Sequence, residues 1–512
     1  MNIRSAVGSA HARRALAVVV AATAALAVAG PARAADTRTP VGRWLLEAMP
    51  GISTDAALAD EAAAPQDSPL TATGTTWLAD AHLIGGQALS FNGTSSVAAT
   101  AAPVLDTTTS FSVAAWVSPA DLAADRDFLG QDQAATGDAT RRGGFSVGIR
   151  HQGRAAHWTF RMGNGPSRRT AVVAATDPRT LTAADLGRWT HVAASYDAAT
   201  RVMSLYVNGA RVAQARRTAT PWAAGGPFTV GRSDDGGPAH FWKGEVTRAY
   251  AYDRVLTDHD LFGGTVDGFT EPGMLDAVSV GSWDFNAAVP CFLPEIPDTC
   301  NAPDSRAFNH TLQLTLGTDI ATDRTALAFD GSAYVFDADF NQVFNPDGTP
   351  ATQPSTEYGY ADNPVVHTGD AFSVTASARI DDPARPGPQT VVSLGAAGAQ
   401  PDFSLAYADG AYTATLARSA TPGDTVTVSA TVADATAWHR LVVVYDPHRS
   451  SLRLFVDGTP AVSAVVGSAY SGGGRLEIGR ATSGDGYLFG AVDNLELCQG
   501  ALTDRQLAAL AG

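Results

Sequence analysis

The sequence predicts an all-β protein built from two tandem antiparallel β-sandwich domains. Three observations carry that expectation. Short β-branched and aromatic runs are broken throughout by Gly, Asp, Asn and Pro, the pattern of strands joined by turns. No sustained helical periodicity follows the first thirty or so residues. The chain also repeats itself, with one series of strand-like segments recurring in the same order about 250 residues later.

The amino terminus reads as a targeting segment. Arg4, Arg13 and Arg14 precede an apolar run over 15–30, followed by Pro31-Ala32-Arg33-Ala34. The small-x-small pattern predicts a signal peptide over residues 1–34, cut after Ala34. The run is short for a helix that needs about 20 residues to span a bilayer, and no Cys follows it to take a lipid. The expectation is a secreted protein, extracellular or held in the cell wall, with no membrane insertion once the signal is gone. The Arg13-Arg14 pair leaves the choice between general secretion and a twin-arginine route open.

The formal charge of −16 becomes −20 when Arg4, Arg13, Arg14 and Arg33 are removed with the signal. Such a surface repels nucleic acid and suits an exported protein. Lys243 is the only lysine.

The repeated segments follow in order. "ALSFNGTSSV" (Ala88–Val97) returns as "ALAFDGSAYV" (Ala326–Val335), and "SFSVAAWVSP" (Ser110–Pro119) as "AFSVTASARI" (Ala371–Ile380). "WTHVAASYDAATRVMSLYVNG" (Trp189–Gly209) returns as "WHRLVVVYDPHRSSLRLFVDG" (Trp438–Gly458). In these hairpins Met203, Leu205 and Val207, and likewise Leu452, Leu454 and Val456, fall on one face by period-two alternation. Asp197 and Asp446 open the first turn, and Asn208-Gly209 and Asp457-Gly458 the next. "FTVGRS" (Phe228–Ser233) returns as "LEIGRA" (Leu476–Ala481), and "GEVTRAYAYDRVLTDHDL" (Gly244–Leu261) as "GAVDNLELCQGALTDRQL" (Gly490–Leu507). Trp116, Trp189 and Trp438 sit inside these motifs and are read as core. The expected domains are 40–264 and 278–512, with a linker over 265–277.

Taken together, these motifs resemble the laminin G-like jelly-roll domain of the concanavalin A-like lectin/glucanase superfamily, in the form found in bacterial exported proteins. The resemblance implies a two-sheet sandwich that binds glycans or proteins through its loops, often with calcium near the rim. It places candidate calcium ligands at Asp304, in the first strand's loop, and Asp493, on the last strand, with Asp330 as a third. Asp304 and Asp330 can equally be turn residues. The first copy carries Thr247 and Asn92 where the second has Asp493 and Asp330, and Asp60 matches Asp304.

Catalysis has little support in the residues. None of the eight glutamates opens an E-x-D-x-x-E strand of the glucanase kind, which alternation would aim into one cleft. In "VDNLELC" an odd spacing sends Asp493 and Glu496 to opposite faces of a regular strand. His439 and Tyr445 share a face, but His191 and Ser195 of the first copy do not line up with them. The cysteines allow a Cys291–Cys300 staple around "CFLPEIPDTC", with Cys498 as a buried thiol, or a pairing of Cys498 with one of the other two.

Recognition is sought in the loops. Aromatic rings stack on the CH-rich faces of sugars. "PAHFWKG" brings His240, Phe241 and Trp242 where the second copy has "GDGYLFG" with Tyr487. These rings are read as ligand contacts, with closure of the sandwich end as the alternative. Two insertions lack counterparts: Ala123–Phe145, and Asn341–Val366 with Tyr358 and Tyr360. They are either binding loops or plain surface insertions. The leading expectation is a non-catalytic binder of extracellular glycan or protein ligands. A polysaccharide-active enzyme or its accessory module, and a structural cell-envelope protein, are the alternatives.

Overall fold

Alternation along the repeated segments stacks each half of the chain into two sheets. The computed structural model describes residues 39–511 apart from 63–66, 80–81, 135–139, 267–268, 292–299, 322, 324, 338 and 340. The expected cleavage at Ala34 lies outside them. Pro40–Gly512 form one compact unit.

In the first half, one sheet runs Ala210–Arg216, Val202–Val207, Thr190–Asp197, Phe111–Pro119, Lys243–Tyr252, Gln87–Asn92 and Glu47–Ala48. Its partner sheet runs Val172–Thr176, Ala155–Gly163, Phe145–Gln152, Arg126–Gln131, Phe228–Val230, Val97–Ala99 and Thr71–Thr73. The second half repeats the plan. Ser451–Val456, His439–Asp446, Phe372–Ile380 and Gly490–Gln499 are neighbours in one sheet. The other sheet is Asn301–Ala302, Leu312–Leu314, Gly359–Ala361, Arg475–Ile478, Gln389–Gly395, Phe403–Ala408, Ala411–Ala417 and Thr425–Thr431. All these pairings are antiparallel, so the predicted all-β class with two jelly-roll sandwiches is what the chain adopts.

The inner faces are those the period-two pattern names. Met203, Leu205 and Val207 meet Val192, Ala194 and Tyr196 in one core. Leu452 and Leu454 meet Leu441, Val443 and Tyr445 in the other. The repeated "GR" glycine is fixed by packing: a Cβ on Gly231 would stand 2.2 Å from the Phe91 ring, and one on Gly479 2.7 Å from Phe329. Both glycines also hold positive φ, 94° and 80°.

Trp116, Trp189 and Trp438 are not members of the two main cores. Core residues of Phe111–Pro119 are the odd-numbered ones, so Trp116 points to the outer face, where it packs on Ala88 and Trp189. Trp438 lies near the rim under the Arg379 guanidinium, 5.3 Å from its ring centre. After each "LTD" a short helix, Asp258–Phe262 or Asp504–Ala511, forms beside one sheet. Thr257 and Asp260 make a capping box at the first. Satellite apolar clusters under these segments cover the outer face of that sheet in each half. The opposite sheet of the second half is open in part: Ser404 and Thr415 on its outer face are half-buried and Thr427 is exposed, whereas Ser393 is fully buried. The halves are joined by more than the linker, because Leu83 of the first is fully buried in the core of the second.

Candidate functional site

The open sheet of the second sandwich carries a row of polar residues across its outer face. Leu476 and Ile478 point into the core, so Glu477 between them points outward. Its cross-strand partners are Tyr360 and Ser393, and the row continues through Gln313 on one side and Ser404, Thr415 and Thr427 on the other. Directly paired residues share a face, so these seven form one band.

Three tyrosines gather at one end of the band. Tyr358 and Tyr360 alternate with buried Glu357, Gly359 and Ala361, and their ring centres are 5.8 Å apart. Arg480 lies 3.4 Å from the centre of the Tyr358 ring and 5.8 Å from that of Tyr487. Arg475 lies 4.8 Å from the centre of Tyr360. Glu477, fully buried beneath them, accepts from Arg475 Nε at 2.7 Å, and from Arg480 Nε at 2.8 Å and Nη2 at 2.9 Å. Burial works against the Arg480 charge, but Glu477 and the Tyr487 hydroxyl raise its pKa above the ordinary arginine range. One carboxylate thus holds both guanidiniums from below, Arg475 also meeting Asp362 at 3.6 Å, and they stand over half-exposed rings. Such a surface offers stacking planes with hydroxyls at their edges.

Tyr358, Tyr360 and Tyr487 are therefore brought together. The first-half loop behaves otherwise. Trp242, expected at the rim, is fully buried, 6.2 Å from Trp158 and 5.5 Å from Phe128 between ring centres. It occupies the position of core residue Leu488 in the second copy, so the loop closes the sandwich end through this ring. His240 and Phe241 stay half-buried and are tied to the neighbouring strand. The His240 carbonyl accepts from Asp127 N at 2.7 Å, and the Phe241 carbonyl from Arg126 Nη1 at 2.9 Å. Burial lowers the His240 pKa.

The three aspartates expected to share calcium are not brought into one set. Among the described residues no three His, Cys, Asp or Glu converge as a metal site. Each is occupied locally. Asp304 accepts the backbone N–H groups of Ser282, Arg306 and His310 at 2.8–2.9 Å. Asp60 accepts those of Arg43, Ala62 and Ser68 in the same pattern, so both copies use this carboxylate to shape one loop. The loop in turn takes the indole N–H of Trp283 or Trp44. Asp330 caps its turn through Ser332, as Asn92 does through Thr94 and Ser95. The donor set does not fit a shared cation, because among the described residues these carboxylates do not converge on one point.

Asp493 corrects the parity argument as well. It pairs with Ser377, and Glu496 with Thr375. A bulge at Asn494, with φ of 48°, absorbs the odd spacing and puts both carboxylates on the same outer face. Arg248, φ 49°, marks the same bulge in the first copy. The pair is nevertheless engaged: Asp493 accepts from Asn494, and Glu496 from Arg306 at 2.8 Å. Of the cysteine alternatives, Cys291–Cys300 is the bridge formed, and Cys498 is a buried free thiol.

The sequence reading missed Arg475, Glu477 and Arg480. Their signal lay in "RLEIGR", where Arg475 and Glu477 stand two apart on a strand and so share a face.

A laminin G-like family model, described as the concanavalin A-like lectin/glucanases superfamily, matches residues 91–262 and 354–508. No curated protein matches significantly. Similar solved structures include domain 4 of the extracellular arabinanase AbnA from Geobacillus stearothermophilus, in complex with arabinotriose. It is 15% identical, with 46% of this chain and 100% of that one covered and a TM-score of 0.30. The sialidase CBM40 of Ruminococcus gnavus bound to α2,3 sialyllactose is 17% identical over 28% of this chain and 83% of that one, at a TM-score of 0.25. Domains LG4-5 of the mouse laminin α1 chain are 11% identical over 80% of this chain and 84% of that one, at 0.21. None of these structural likenesses bears on the function of this chain.

Proposed function

This chain belongs to the concanavalin A-like lectin/glucanases superfamily, and on that premise we propose that it is a non-catalytic glycan-binding protein. The open sheet of the second sandwich is its binding surface. One observation carries the reading: Tyr358 and Tyr360 from one segment and Tyr487 from another flank two arginines over a buried glutamate. Sugar rings stack on the tyrosines, and their hydroxyls meet the accessible members of the band, Gln313 on one side and Ser404, Thr415 and Thr427 on the other. The band is rich in Ser and Thr, which donate and accept alike and suit a neutral oligosaccharide chain.

The protein acts outside the cell, in keeping with the Cys291–Cys300 disulfide and the expected signal. Among the described residues no helix is long and apolar enough to cross a membrane. Amino-terminal sequencing of the exported protein tests the export reading, with Ala35 as the expected first residue.

The binding reading is tested by titrating neutral oligosaccharides into the wild type and into Tyr358→Ala, Tyr360→Ala and Tyr487→Ala. Each lost stack is expected to weaken binding by about 0.5–1.5 kcal/mol. Unchanged affinity in all three, with the fold intact, overturns the location. Release of reducing sugar by the wild type overturns the non-catalytic reading.

A further inference from the structure

A second cavity lies away from the tyrosines, where the helix-covered sheets of the two sandwiches face each other. It measures about 300 Å³, within the range of sites that hold small organic molecules. Trp116 and Phe262 of the first half, Leu275 of the linker and Leu502 of the second half give it an apolar wall. The Trp116 ring is held in place. Its indole N–H donates to the Met274 carbonyl at 3.1 Å, and His82 stacks on it at 4.8 Å. Burial pushes the His82 pKa well down, so this ring adds no charge.

Most polar groups around the cavity are already matched. Asp276 is ion-paired with Arg505, and Asp446 with Arg449 at 3.6 Å. Gln499 accepts from His367 N at 2.8 Å and donates to the Ala371 carbonyl at 2.7 Å. Asp504 stands exposed at the helix start. Two donors remain. Arg453 Nε is buried without a hydrogen-bond partner, and no carboxylate among the described residues pairs with its guanidinium, which stands 5.5 Å from the Phe455 ring centre. Asn208 spends its Oδ1 on His191 N at 2.9 Å, which leaves its amide N–H groups for an occupant.

Arg453 is half-buried with its Nε–H buried and unanswered; an unmet buried donor is costly, and a carboxylate answers a guanidinium with two parallel hydrogen bonds. We propose that this cavity between the sandwiches is a second binding site, for a small molecule with a flat apolar body and one carboxylate. Trp116, Phe262, Leu275 and Leu502 enclose the body, and Arg453 takes the carboxylate with Asn208 beside it. This site is independent of the glycan surface.

The test is calorimetry on the full chain with 3-phenylpropionate and with its neutral analogue 3-phenylpropanol. The acid is expected to bind saturably, one per chain, and the alcohol about tenfold more weakly. Arg453→Met brings the acid down to the alcohol's level, Leu275→Trp fills the space and removes both, and Arg480→Ala changes neither. No binding of the acid up to about 5 mM, or equal binding of acid and alcohol to the wild type, overturns the proposal. The wild-type comparison decides the matter even where a variant fails to fold.

Discussion

Replacing Glu477 with Gln keeps the shape of the residue beneath the tyrosines and removes its charge. In the wild type this side chain is fully buried and answers two guanidiniums. Gln offers one acceptor and one misplaced donor to the same pair. Removing one partner of a buried ion pair typically costs about 3–5 kcal/mol. The Arg475 and Arg480 side chains retain 18% and 13% exposure, so water relieves part of this and the low end, about 3 kcal/mol, is expected. For a domain of this size that lowers Tm by about 6–12 °C. Binding suffers separately. The guanidiniums leave the Tyr358 and Tyr360 rings, and losing about 1 kcal/mol of cation–π support weakens oligosaccharide binding about fivefold. Urea unfolding and calorimetric titration measure the two effects. Adding Arg480→Met to Glu477→Gln should recover part of the stability, since the remaining charges then balance better. A loss below about 1 kcal/mol, together with strict additivity in the double variant, refutes the account of Glu477 as the anchor of the site.

Four further outcomes are expected. Trp242→Ala empties a fully buried site and should cost about 3–5 kcal/mol in denaturant unfolding, while oligosaccharide affinity on the second sandwich stays the same. Burial, with help from the nearby Asp330 charge, raises the Glu357 pKa from 4.5 to about 7. The fold therefore favours the protonated form, and the stability this group contributes is present below about pH 4.5 and lost as pH rises through about 7. Glu357→Gln should remove up to about 3 kcal/mol of that decline, and parallel Tm–pH profiles for the two proteins would count against it. Asp304→Ala frees three backbone N–H groups and should cost about 1–3 kcal/mol; a chelator should leave the wild-type Tm unmoved, and a large drop would restore a cation to that loop. Reducing Cys291–Cys300 should cost about 2–3 kcal/mol for so small a loop, and Cys498, buried with its thiol pKa raised by burial, should react with a thiol reagent only after unfolding.

The residues show unevenly how much a sequence discloses. Tyr358 and Tyr360 stand out in the sequence as aromatics in an insertion, and Tyr487 as a ring in a loop that carries aromatics in both copies, but that the three gather around Arg475 and Arg480 is visible only in the fold. Trp242 misled because its loop looks unmatched by composition, although its register equates it with core residue Leu488. Asp304 misled in another way. An aspartate in a rim loop suits a cation or a set of backbone amides equally well, and only the positions of the Ser282, Arg306 and His310 N–H groups separate the two. For Asp493 and Glu496 the parity rule failed because it assumes an unbroken strand, and Asn494 breaks it.

By itself the sequence determined the duplication, the order of the strands and the alternating core face of each repeated hairpin. Those follow from periodicity and steric rules that act along the chain. The tertiary structure alone decided what converges. Tyr358 and Arg480 lie far apart in sequence yet stack, because strands Gly359–Ala361 and Arg475–Ile478 pair in one sheet. Likewise the cavity with Arg453 exists only because Leu83 and the linker hold the sandwiches face to face. Strand alternation says which face a side chain takes, but long-range packing chooses the partner it meets there.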